Sequence, residues 1–165
     1  MDTIFRLYFE YFWLAVLALL AFQYVQARRA LSAQEAEDAQ AHEVGFFQKL
    51  YIIWFGLPFV IMGAGKLTGY TPIVWHYFRP QDLNPFVLAF HIVLLVEICA
   101  LTWWVFCAGG AEKIRDLGIF VVDAPGRPGK PVSSLIGIKL FVATGALLYP
   151  ILLYLIISSD FPDYF

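Results

Sequence analysis

The sequence predicts an all-α integral membrane protein that folds as a four-helix bundle, and its composition is the first reason. Of the 165 residues, 61% are hydrophobic and 15% are charged. Soluble domains carry about 45–50% apolar and about 25% charged residues. At this length we expect a single domain, here one transmembrane domain over the whole chain. The net charge of −2 gives no indication of nucleic-acid binding.

Four apolar segments are the second reason for this prediction. About 20 consecutive apolar residues are needed to cross the hydrocarbon core of a bilayer. Segments of about that length define four predicted spans, at residues 4–27, 47–65, 85–108 and 135–158. The stretch Leu117–Val122 is too short to span, so we expect it to lie along the interface or to form a re-entrant piece. The N-terminus lacks the basic region and cleavage site of a signal peptide.

The polar loops predict how the chain is oriented. The connections 28–49 and 109–133 hold seven lysines and arginines, against three on the other side. The positive-inside rule therefore places the polar loops 28–46 and 109–133 in the cytoplasm or the matrix. Both termini then face the periplasm or the intermembrane space of an inner membrane, bacterial or mitochondrial. We expect residues 28–43 to extend the first helix, and residues 124–131 to form a turn-rich connector.

Glu97 is the residue that stands out most, because it lies in the middle of the third span. A carboxylate there costs at least about 2.5–3.5 kcal/mol on insertion scales. It therefore needs a partner, a wet cavity or a bound proton. Two interpretations follow: Glu97 handles protons or contacts a polar ligand, or it is a neutral acid that holds two helices together.

Lys66 and His91 are the other polar candidates for a ligand or proton site. Lys66 ends the second span, where its charge could be aimed at Glu97 or at an anionic headgroup, or could simply snorkel to the surface. His91 lies six residues before Glu97, and its more frequent role at such a position is a hydrogen bond between helices. Gly63 and Gly65 are predicted to let two helices approach closely.

Several other polar and sulfur-containing residues receive structural interpretations. Arg6 and Glu10 are four residues apart on the first helix, a favourable pairing. Cys99 and Cys107 are too far apart on one helix for a disulfide, and we expect both to be buried as small hydrophobic residues. The histidines have no partners at ligand spacing, so no metal site is predicted. No catalytic residue, and no independent enzymatic activity, is predicted.

The run GAGKLTGY at residues 63–70, followed by a helix that carries Glu97, resembles the DoxX-like family of small four-helix membrane proteins. Gly63, Lys66 and Leu67 match the end of one family helix, and Glu97 matches the acidic residue of the next. The resemblance covers residues 47–110, which leaves the first span as an addition and only one clear span after the Glu97 helix.

The resemblance implies a membrane partner in sulfur or thiol redox chemistry coupled to quinone, or a chaperone of other membrane proteins. Three functions stay open on the sequence. The first is a non-catalytic accessory subunit of a larger membrane complex, of which a respiratory complex is one candidate, and its partners are other subunits and lipids. The second is a redox subunit that binds quinone or relays protons through Glu97, Lys66 and His91. The third is a small transporter. No cofactor is expected for the first, apart from bound lipid or quinone.

Overall fold

The computed structural model describes residues 2–32, 39–71, 74–117, 121–124, 127–131 and 134–158, and most of them are helical. The helical class predicted from the sequence is thus confirmed. The five α-helices are α1 (Asp2–Ser32), α2 (Ala39–Leu67), α3 (Pro85–Cys107), α4 (Gly110–Asp116) and α5 (Leu135–Ser158). Two short 3₁₀ helices, Val74–Phe78 and Pro80–Asp82, connect α2 to α3, and two strands precede α5, namely β1 (Val121–Ala124) and β2 (Arg127–Pro131).

Three of the described helices are long and apolar enough to cross a membrane. They cover Glu43–Leu67, Pro85–Cys107 and Leu135–Ser158 and contain 25, 23 and 24 residues. The third and fourth predicted spans agree with α3 and α5 to within one residue. The first predicted span lies inside α1, but its described apolar stretch, Glu10–Gln26, is shorter than these three.

The connections differ from the sequence predictions in their details. The polar segment 28–43 does extend the first helix, as predicted, as far as Ser32. It also supplies the first turns of α2, which begins at Ala39, well before the predicted span at residue 47. Residues 33–38 lie outside the described part of the chain.

The segment 124–131, predicted as a turn-rich connector, contains the last residue of β1 and the whole of β2. The strands β1 and β2 pair antiparallel, with Val121 opposite Pro131 and Val122 opposite Lys130. Of the predicted interfacial or re-entrant stretch 117–122, Leu117 caps the end of α4 and the last two residues belong to β1, while residues 118–120 lie outside the described residues.

The described elements fall into two compact units, Met1–Leu95 with Tyr154–Phe165, and Val96–Leu153. In the first unit Trp13 of α1 lies against Gly63 of α2, and Leu20 lies against Gly56. The contacts follow opposite orders along the two helices, so α1 and α2 are antiparallel. The buried centre of this unit is formed by Met62, Tyr77 and Val87, with Trp13 and Phe59 among the side chains packed against it.

In the second unit, α3, α4 and the beginning of α5 share a small core of Val105, Ala111 and Ile138. Gly109 has a φ of +73°, which lets the chain turn sharply between α3 and α4. Lys139 on α5 lies over the ring of Phe106, with its Nζ 6.0 Å from the ring centroid. This position keeps the charged end of an otherwise apolar helix beside an aromatic face.

Cys99 and Cys107 are both free and both exposed on α3. The prediction that they form no disulfide is confirmed, whereas the prediction that they are buried is wrong. The apolar character of α3 extends all around the helix, so an apolar residue on it need not face the interior of the chain.

Gly63 provides the first testable prediction, on helix packing. A Cβ placed on Gly63 would lie 2.6 Å from the Trp13 ring, so one of the two helices would have to shift. We expect Gly63→Ala to destabilise the chain by about 1–3 kcal/mol, as overpacking of a filled interface does. Thermal unfolding in detergent measures the effect.

The matched control for this substitution is Gly145→Ala on α5. Among the described residues, no atom lies within 4 Å of a Cβ built on Gly145. The alanine should therefore be neutral there, or stabilise α5 by up to about 1 kcal/mol through its helix propensity. Equal melting temperatures for the two variants would contradict the assigned packing of α1 on α2.

Candidate functional site

An ion pair joins the beginning of α1 to the end of α2. Lys66 Nζ lies 2.7 Å from Glu10 Oε1, and the two side chains are only 18% and 28% exposed. The same ammonium lies 5.6 Å from the centroid of the Tyr11 ring. The sequence had suggested Glu97 or a headgroup as the target of Lys66, and Arg6 as the partner of Glu10. The observed partner is Glu10, and the side chain of Arg6 lies outside those described.

The run GAGKLTGY folds the chain back onto the last turn of α2. Gly69 adopts a φ of +79°, a conformation that strains any residue with a Cβ. The amide of Thr71 then donates a hydrogen bond to the carbonyl of Gly65 at 3.0 Å. This reversal carries the buried Thr71 side chain to a position beside the helix that the chain has just left.

The hydroxyl group of Tyr77 is held in place by hydrogen bonds to Thr71 and to the end of α2. It lies 3.1 Å from Thr71 Oγ1 and donates to the carbonyls of Ile61 and Met62 at 3.4 Å. Gly65 makes this arrangement possible, since a Cβ there would collide with both hydroxyl groups. Burial raises the pKa of the Tyr77 phenol, and the Thr71 hydrogen bond opposes that shift. The phenol therefore stays protonated at neutral pH.

These groups surround a small open cleft, which we call the Glu10–Lys66 cleft. Its volume is about 210 Å³ including its open mouth, and its interior has room for about one water-sized group. The lining side chains are those of Glu10, Trp13, Met62, Lys66, Thr71, Val74 and Tyr77. Trp13 Nε1 is buried and has no hydrogen-bond partner among the described residues. The cleft thus combines an ion pair and two hydroxyl groups, and its wall includes Trp13, whose buried indole N–H is unpaired among the described residues.

His91 supports the cleft without lining it. Its Nε2 lies 2.9 Å from the backbone oxygen of Tyr77, which ties α3 to the 3₁₀ helix Val74–Phe78. The Tyr77 ring also meets the Phe90 ring edge-on, at a centroid distance of 5.0 Å. The bond from His91 therefore reaches the backbone of a short connecting helix, whereas the sequence had suggested a bond between two long helices.

Glu97 belongs to the second unit, where it is 8% exposed. Its Oε1 atom is buried and has no hydrogen-bond partner in the described part of the chain. Of the three polar site candidates, Lys66 alone lines the cleft. The structure places Gly63 and Gly65, the two predicted packing glycines, at its edges against Trp13 and against Thr71 and Tyr77.

Sequence reasoning did not single out Trp13, Thr71 or Tyr77 as site residues. Their roles depend on contacts between distant parts of the chain, which periodicity does not reveal. The glycines of α2 could have indicated these contacts, because a small residue in an apolar helix marks a place where a large side chain of another element can pack. Pairing Gly63 with an aromatic residue of the first helix would have suggested Trp13.

Within the described ranges, no three His, Cys, Asp or Glu side chains come together in a way that could hold a metal ion. Comparison of the chain with protein-family models, with curated proteins and with solved structures found no match.

A double-mutant cycle tests the ion pair. Glu10→Gln and Lys66→Met should each destabilise the chain, because each leaves one half-buried polar group without its counter-charge. The double variant should be more stable than the sum of the two losses predicts, with a coupling energy of about 0.5–3 kcal/mol. Denaturant unfolding in detergent gives all four free energies. Strict additivity would show that the two side chains do not interact.

Proposed function

We propose that this chain is an integral membrane accessory subunit, without catalytic activity of its own, in a larger membrane complex. The observation that carries the proposal concerns α5. In its most apolar 18-residue window, no residue is buried within the chain. Apolar surface left in water costs about 25 cal/mol per Å². A helix of this kind therefore requires lipid, helices of another subunit, or both.

The side chains of α5 favour a protein neighbour in addition to lipid. Gly145 is exposed and open, and the neighbouring Thr144 has already satisfied its hydroxyl by a 2.8 Å bond to the Leu140 carbonyl. Small residues in apolar helices permit the close backbone approach on which association in membranes depends. Within the chain, α5 is packed chiefly near its beginning, around Ile138.

The polar groups of the first unit also support an accessory role. Lys66 is engaged by Glu10, His91 by the Tyr77 backbone, and the Tyr77 hydroxyl by Thr71 and two carbonyls. These interactions hold elements together. They leave the described residues of this unit organised as a scaffold around one small cleft.

The proposed placement in the membrane follows from the helices and the charges. We infer that α2, α3 and α5 span the bilayer and that α1, which contains the first predicted span, completes a four-helix arrangement. The basic loops would face the cytoplasm or matrix of an inner membrane, and both termini the opposite side. The resemblance of residues 47–110 to the DoxX-like family supports a role beside other membrane proteins.

One observation favours the alternative of a redox subunit that contacts quinone or relays protons. Glu97 is buried and its Oε1 lacks a partner among the described residues. Intramembrane acids of this kind frequently mark a proton or ligand pathway.

Gentle extraction from native membranes tests the accessory role. A tagged chain should migrate in blue-native gels as part of a larger complex, from which cross-linking identifies the neighbours of α5. Gly145→Leu adds an apolar side chain that lipid accommodates and a packed partner helix does not. This variant should therefore shift the chain to a smaller species.

The matched control is Ala21→Leu, which places the same leucine side chain at an exposed position of α1 and should leave the complex intact. Isolation of the wild-type chain as a lone monomer would contradict the proposal. Glu97→Gln separates the alternatives: intact assembly with lost electron transfer favours the redox subunit, and intact assembly with unchanged electron transfer favours the accessory subunit.

A further inference from the structure

The indole nitrogen of Trp13 is a buried donor that the described protein leaves unpaired. Buried N–H groups are almost always hydrogen-bonded, because an unmade bond leaves the full desolvation penalty in place. The rigid packing of the ring on Gly63 prevents Trp13 from turning toward solvent easily. A hydrogen-bond acceptor from outside the chain would remove this penalty.

The charges in the cleft indicate what kind of acceptor fits. Lys66 and Glu10 lie 2.7 Å apart and neutralise each other. A phosphate or a carboxylate group of a ligand would be repelled by the Glu10 carboxylate and would have to displace it from Lys66. A neutral oxygen, such as that of a carbonyl group, accepts from Trp13 without disturbing the ion pair.

The shape of the cleft limits how much of a ligand enters it. The interior accommodates about one water-sized group, and the apolar side chains of Met62 and Val74 form part of the wall. An oxygen atom can therefore enter while the remainder of its molecule stays at the open mouth. Ligands with one exposed carbonyl oxygen on an apolar body meet both conditions.

The position of the cleft in the first unit indicates where such a ligand comes from. Lys66 lies in the last turn of α2 and Glu10 near the beginning of α1, so the cleft is at one end of the helix pair. The connection that follows α2 exposes the aromatic residues Tyr70 and Trp75. Exposed aromatic rings at the ends of apolar helices are typical of the boundary between headgroups and acyl chains, where lipid ester carbonyls lie.

We propose that the Glu10–Lys66 cleft binds the ester carbonyl oxygen of a neutral membrane lipid, with Trp13 Nε1 as the hydrogen-bond donor. The proposal rests on insertion of the chain in a membrane. It goes beyond the accessory role, because it assigns a specific lipid site to the isolated chain and needs no partner subunit.

Native mass spectrometry of the full-length chain, purified in detergent and stripped of lipid, tests this site. The probes are phosphatidylcholines with identical chains, joined either by ester bonds or by ether bonds, which lack the carbonyl oxygen. The wild-type chain should retain one ester lipid about fivefold to tenfold more tightly than its ether analogue, as expected for one net hydrogen bond.

Two tryptophan variants locate the effect. Trp13→Phe removes the N–H donor and keeps an aromatic ring, so the ester and ether lipids should then bind equally. Trp103→Phe is the matched control, because Trp103 is 63% exposed on α3 and does not line the cleft, and it should keep the ester preference. The comparison of lipids in the wild-type chain stands even if Trp13→Phe folds poorly.

Three outcomes would overturn the proposal. Equal binding of ester and ether lipids by the wild-type chain would show that the cleft holds water alone. A preference for ester lipid that persists in Trp13→Phe would place the site elsewhere. Preference for anionic phosphatidylglycerol over both phosphatidylcholines would show that the net negative charge of the headgroup, and not the ester carbonyl, determines binding. Carbonate extraction of the membrane fraction checks insertion separately, so failure of the lipid site is distinguishable from failure of the proposed function.

Discussion

The uncovered apolar surface of the helices is the constraint on which the rest of the structure depends. Described residues such as Ile53, Ile136 and Leu147 expose most of their side chains, and α5 buries none of its most apolar window. In water this surface would drive aggregation, whereas in a bilayer it is covered by lipid or by neighbouring helices. Helices suit that setting because each satisfies its own backbone hydrogen bonds, which lipid cannot do. The proposed accessory function follows from this need of the apolar helices to be covered by lipid or by other subunits.

The cleft shows how polar chemistry is accommodated under the same constraint. Lys66 and Glu10 neutralise one another at the end of the helix pair, and the hydroxyl groups of Thr71 and Tyr77 satisfy one another and two carbonyls. Three glycines of the 63–70 run make this possible, two by admitting large neighbours and Gly69 by reversing the chain. The pattern that suggested a family resemblance thus has a physical role in this chain. The unpaired donor of Trp13 remains as the one feature of the cleft that internal packing leaves open among the described residues.

Much of the helical architecture could be predicted from the sequence, because the physics behind it is local. The boundaries of α3 and α5 follow from apolar runs that end at glycine or polar residues, and both were predicted to within one residue. The partner of Lys66 could not be predicted, because it depends on the register of α1 against α2. The packing of the Trp13 ring on Gly63 determines that register. The exposure of Cys99 was mispredicted for a related reason: in a helix that is apolar on all sides, composition does not tell which face points inward.

Maleimide labelling of Cys99 in intact membranes tests the central claim, insertion of the apolar helices, most directly. Cys99 is exposed on the chain and lies about 12 Å along α3 from Cys107, the last residue of that helix. A thiol surrounded by lipid does not ionise and reacts slowly. In Cys107→Ser membranes, Cys99 should resist a permeant maleimide until detergent denatures the protein, whereas Cys107 should react readily in Cys99→Ser membranes. Equally fast labelling of Cys99 before and after denaturation would contradict the account.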